Sequence, residues 1–147
     1  MTGVHESVLA AFTTDKATET KGKWIPVGPA KFLVARAGGS NTKFQKAIET
    51  AMRPYQRLIQ MEQLSETEAT KLTVKPFVET VLLGWENVRP ATQDEDQEWV
   101  AGEPIPYSQE KAIEILTQFP DLFRHLLTES TKLGNFAPDF IKASAGN

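Results

Sequence analysis

The chain contains no cysteine and only two histidines, His5 and His125, among its 147 residues. Without thiols there is no disulfide framework, thiolate metal site or cysteine nucleophile, and the fold is indifferent to the redox state of its compartment. Two histidines so far apart cannot supply the clustered ligands of a zinc site. Basic charge is also in short supply: 16 lysines and arginines face 19 acids, for a net charge of −3. The basic footprint of a nucleic-acid-binding protein is therefore missing, and no nucleic-acid partner is expected. No stretch approaches the roughly 18 consecutive apolar residues of a membrane span. The opening Met1-Thr-Gly-Val-His-Glu-Ser7 has no basic leader ahead of an apolar run, so neither a membrane nor secretion is expected.

Motifs for chemistry are equally scarce. Gly38-Gly39-Ser40-Asn41 stands before a helical pattern, but neither GxxxxGK[ST] nor GxGxxG is present, and the segment reads as a strand-to-helix turn. The acidic run Asp94 to Glu98 lacks the central glycine and terminal glutamate of a calcium loop in register and reads as a solvated turn. Asp121 and His125 share a helical face at a spacing that gives a surface pair more often than a catalytic dyad. No catalytic, cofactor-binding or metal-binding residue is assigned, and the expectation is a protein that is not an enzyme.

What is present is the ordinary globular mixture, 40% hydrophobic and 24% charged, in a length that suits one modest core. The fold is expected to be mainly α, a small helical domain of about four or five helices with one or two short β-hairpin elements at 23–37 and 98–107. Val74, Phe77, Val78, Val81, Leu82, Trp85 and Val88 recur at three- and four-residue steps, which predicts one core helix from Val74 to Val88. Trp85 then needs a partner for its indole N–H, and Gly84 leaves room for a close approach.

Around that stripe the chain divides into a mobile N-terminal arm (1–22), a single domain (23–136) and a loose C-terminal tail (137–147). Two β-branched and aromatic runs flank Gly28-Pro29 and predict a hairpin, with Pro26 confining the first to a sheet edge. Phe44 to Ile59 carries the longest helical rhythm and should kink at Pro54. Ser65-Glu-Thr-Glu68 is a capping box opening the next helix, which either bends at Pro76 or restarts there. Ser108 caps a short helix with Ala112, Ile113, Leu116 and Phe119 inside. Pro120 starts the last helix, which Gly134-Asn135 should stop, with Phe136 and Phe140 folding back.

Taken in order, Phe32-Leu-Val-Ala-Arg36, Gly38-Gly-Ser-Asn41, Val81-Leu-Leu-Gly-Trp85-Glu-Asn-Val88, Tyr107-Ser-Gln-Glu110 and Phe119-Pro-Asp-Leu-Phe123 resemble the tail assembly chaperones of long-tailed, siphovirus-like bacteriophages. The resemblance covers about residues 31–136. It implies a non-enzymatic protein of the host bacterial cytoplasm, absent from the mature virion. Its partners would be the tape-measure protein, whose long apolar helices it keeps soluble, and the major tail (tube) protein; self-association is left open. Apolar surface is then expected at Leu83 and Trp85, near the end of the core helix, and at Phe123, Leu126 and Leu127 on the last one. The alternatives are a virion structural protein, such as a tail-completion or head-tail connector subunit, and a small regulatory binder of host proteins.

Overall fold

The computed structural model describes residues 7–138. The fold is mainly α with short β elements. In chain order, a 3₁₀ turn Val8–Phe12 precedes α1 (Lys16–Lys21), β1 (Lys23–Val27) and β2 (Ala30–Val34), and then α2 (Lys43–Met52), a 3₁₀ turn Arg53–Tyr55 and α3 (Gln56–Gln60). The second half holds α4 (Glu66–Thr80), β3 (Leu82–Glu86), β4 (Ala91–Gln93), β5 (Trp99–Ala101), α5 (Gln109–Gln118), α6 (Pro120–Thr131) and a 3₁₀ turn Leu133–Phe136.

β1, β2 and β3 form an antiparallel sheet in that order, and β4 pairs with β5 in a separate hairpin. Gly28 turns the β1–β2 connection at a φ of +57°, a conformation that costs glycine little. Pro26 lies on edge strand β1, where its missing N–H leaves no sheet bond unmade.

The predicted helix from Val74 to Val88 is corrected by the structure. α4 ends at Thr80 and Leu82–Glu86 is the third strand. The misreading has a physical cause. Between Leu33 and Val34 the pairing slips, so that Leu33 faces Gly84 while Val34 faces Leu82 and Leu83 is left over as a bulge. A bulge returns the chain to the same face after three residues instead of two. Leu82 and Trp85 thus both point into the core, at a spacing that imitates a helix. Gly84 also departs from expectation, since a Cβ there would meet nothing within 4 Å.

α4 is the centre of the core. Val74, Phe77 and Val78 are buried against Phe44 of α2, Leu116 of α5 and Phe123 and Leu126 of α6, with Ile25, Phe32, Val34 and Trp85 closing the sheet side. Edge-to-face contacts run Phe44–Phe77–Phe123, with ring centroids 5.9 and 5.2 Å apart, each adding to the area it buries. Pro76 sits inside α4 without ending it. Pro54 marks the 3₁₀ break between α2 and α3, where the missing N–H was expected to interrupt the ladder. Ser65 Oγ accepts from Glu68 N at 3.1 Å and Ser108 Oγ from Lys111 N at 3.1 Å, satisfying first-turn amides of α4 and α5.

The second half of the segment read as an N-terminal arm is folded onto the domain. Asp15 caps α1 and donates its own N–H to Phe136 O at 2.7 Å. Glu19 of α1 is 1% exposed; its carboxylate accepts from Arg36 Nη1 at 2.5 Å, from Ser40 N at 2.9 Å and from Thr14 Oγ1. Burial pushes the Glu19 carboxyl up, but the bonds from Ser40, Thr14 and Arg36 outweigh it and hold the group at about 2. Thr42 directly precedes α2 and makes no side-chain cap, while Asn41 Oδ1 accepts from Lys43 N, the first amide of the helix, at 3.4 Å. The Asn41 amide nitrogen also donates to Arg36 O at 2.9 Å and Thr80 O at 3.4 Å, tying the end of α4 to the loop after β2. Phe136 is buried, as expected, and α6 stops at Thr131, ahead of Gly134. Phe140, His5 and the rest of the tail from 139 lie outside the described residues.

Candidate partner-binding surface

β3 leaves the sheet at Glu86 and the chain turns through Asn87, whose φ is +59°. The Asn87 amide donates to Pro29 O at 3.0 Å, and its carbonyl accepts from Arg89 Nε at 2.7 Å. Arg89 in turn donates to Gly102 O at 3.1 Å, while Gly102 N donates to Pro90 O at 2.8 Å. A Cβ at Gly102 would come within 2.8 Å of the Pro90 ring, so only glycine lets the two arms meet this closely. These bonds pin the base of the β4–β5 hairpin. Asp94 Oδ1 accepts from Asp96 N and Glu98 N at its tip, which gives the expected acidic turn a definite shape.

After the hairpin, residues 103–107 run back along β3. Trp85 Nε1 donates to Ile105 O at 2.7 Å, Ile105 N to Val88 O at 2.7 Å and Tyr107 Oη to Leu82 O at 2.8 Å. The indole thereby finds the partner its burial requires, and burial pushes the Tyr107 phenol up. The expected second β element at 98–107 is thus a strand and an extended clip, with β4 ahead of it pairing β5.

Between the hairpin and the α5–α6 corner lies an open groove of about 890 Å³, lined by Val88, Trp99, Ile105, Ile115, Phe119 and Leu122 among others. Trp99 is 70% exposed and Phe119 53% exposed. Phe119 projects because Pro120 keeps the residue before it out of the helical region, at φ −120° and ψ 76°, so α5 ends there and α6 begins. Arg89, Lys111, Glu114 and Asp121 add charge to the lining; Lys111 pairs with Glu114 at 3.4 Å, and Asp121 pairs with Arg124 at 2.8 Å rather than with His125. Apolar walls with charged groups among them suit the apolar face of an amphipathic helix.

The five residues expected at a partner contact part company. Leu83 is 39% exposed, on the outer face of the sheet beside Leu33 and Gly22. Leu127 is partly buried against the core. Trp85, Phe123 and Leu126 are interior, with Trp85 6% exposed; they hold the domain together and do not line the groove. Trp99 escaped the sequence reading, and Phe119, expected inside with Ala112, Ile113 and Leu116, is instead half-exposed just past the end of α5 because Pro120 turns the chain there. The available signals were a tryptophan stranded beside an acidic run and a phenylalanine immediately before proline. Among the described residues no cluster of three or more His, Asp or Glu is arranged to hold a metal ion, and no helix is long and apolar enough to cross a membrane.

A family model described as YdaY prophage protein matches residues 39–147. No curated protein and no solved structure matches the chain.

Proposed function

The chain belongs to the YdaY prophage protein family, and from that premise we propose that it works by binding rather than catalysis, as a tail assembly chaperone. In this reading it holds the tape-measure protein in the host bacterial cytoplasm, keeps it soluble, helps recruit tail-tube subunits and is absent from the finished virion. The observation that carries the reading is the groove beside Trp99 and Phe119. A monomeric domain exposes large aromatic side chains along an apolar trough at a cost in solubility, and such surfaces mark interaction sites. Phage origin, together with the resemblance to tail assembly chaperones, supplies the client: a long apolar helix needing shelter until the tail tube forms. An open groove exchanges such a helix readily, as a client that must later be released requires.

Co-expression with the tape-measure protein of the same prophage tests the proposal. The wild-type chain raises the client's soluble yield and co-purifies with it, whereas Phe119→Asp, altering a half-exposed ring, lowers the yield while the melting temperature holds. An insoluble client, with no complex formed with it or with the tube protein, overturns the assignment. Stoichiometric amounts of the chain in purified virions would favour the virion structural alternative.

A further inference from the structure

A second apolar surface has no role in the groove. Beyond Pro54 the helical path of α2 continues through the 3₁₀ turn into α3, and Tyr55, Leu58, Ile59 and Met61 are all exposed large hydrophobics along it. The same path is basic: from Lys43 to Met61 it carries Lys43, Lys46, Arg53 and Arg57 against one acid, Glu49. The β4–β5 hairpin is its inverse. From Ala91 to Glu103 it carries Asp94, Glu95, Asp96, Glu98 and Glu103 and no lysine or arginine, beside exposed Trp99 and Val100. Among the ion pairs of the described residues, none joins the two regions within one chain.

We propose that copies of this chain associate head to tail, the basic apolar ridge 53–61 of one copy docking on the acidic β4–β5 hairpin of the next. Apolar side chains on each surface provide area to bury, and opposite charges fix which surface meets which and speed the encounter. Like surfaces repel, so a two-fold pairing of ridge with ridge or hairpin with hairpin is disfavoured. A contact between two different patches leaves one ridge and one hairpin free, so further copies add until a ring closes or, where the rotation does not close, an open chain grows. This association uses neither Phe119 nor a client, although Trp99 borders both surfaces, and its test needs no client, so its failure and that of the chaperone assignment are read separately.

Light scattering on the purified full chain, with charge-reversal variants, tests it. At about 0.01 M salt, where charges act over roughly 30 Å, the wild-type mass rises with concentration to at least about twofold above 16.3 kDa, and at about 1 M salt it returns to the monomer. Arg53→Glu with Arg57→Glu, and separately Glu95→Lys with Asp96→Lys and Glu98→Lys, each leave a monomer at low salt. Mixed in equal amounts, the two variants associate again, because each reversed surface now meets its complement. That restoration also shows that both variants fold. A wild-type monomer at every concentration overturns the proposal. So do variants that associate as the wild type does, or a mixture that stays monomeric.

Discussion

The molecule contains two β-hairpins built from segments of similar length, and they have opposite fates. In β1–β2, alternate residues Ile25, Phe32 and Val34 are buried, β3 extends the sheet, and Phe32 meets Trp85 edge to face at 6.1 Å. In β4–β5 every strand residue is exposed, and the hairpin is shaped by turn and base hydrogen bonds. Two strands alone bury too little to be stable in water, so the second hairpin persists because Arg89, Asn87 and Gly102 fasten its base to the domain. One hairpin is part of the core; the other is an exposed arm pinned at its base.

The sharpest way to break the comparison is to truncate one tryptophan from each side of it. Trp85→Ala removes a core side chain and the anchor of the 103–107 clip, and should cost about 3–5 kcal/mol in denaturant unfolding. A loss below about 1 kcal/mol would mean that the sheet side contributes little to the core.

Next in size is the clamp beside the first hairpin. The Glu19 carboxyl is held at about 2 against an ordinary 4.5, so its stabilisation is complete above pH 4.5 and is lost as the pH falls towards 2. The difference corresponds to something on the order of 3 kcal/mol. Glu19→Gln should destabilise the protein at neutral pH and flatten the acid limb of the stability profile. An unchanged profile would show that another carboxylate governs acid unfolding.

The smallest effect belongs to the exposed arm: Trp99→Ala should move stability by no more than about 0.5 kcal/mol while weakening capture of the client proposed above. If it instead unfolds the domain, the contrast between the hairpins disappears.

The same contrast explains how much the sequence could disclose. The first hairpin was legible because Gly28-Pro29 punctuates two β-branched runs, and the helices after Asn41 because their apolar periods and caps agree. The α4–β3 boundary was hidden by the bulge at Leu83, which gives a strand the spacing of a helix. Burial of Trp85, Phe123 and Leu126 agrees with their places on apolar stripes, whereas the exposure of Trp99 and Phe119 depends on which neighbours arrive from distant parts of the chain, and local pattern does not encode that. Glu19 was hidden for a related reason: in an aperiodic polar stretch, nothing nearby announces that Arg36 and Ser40 will close around it.

The 103–107 clip has a consequence for how this protein can meet others. A small sheet with a bare edge invites another chain to add a strand, and such additions are hard to reverse. Here Tyr107 and Ile105 occupy the free side of β3, and Pro26 interrupts β1 at the other margin. With both borders of this three-stranded sheet blunted, strand addition to it is hindered, and contact there is left to side chains, which can let go. The sheet side of the molecule thus offers side chains that can grip on a framework that resists recruitment into a growing sheet.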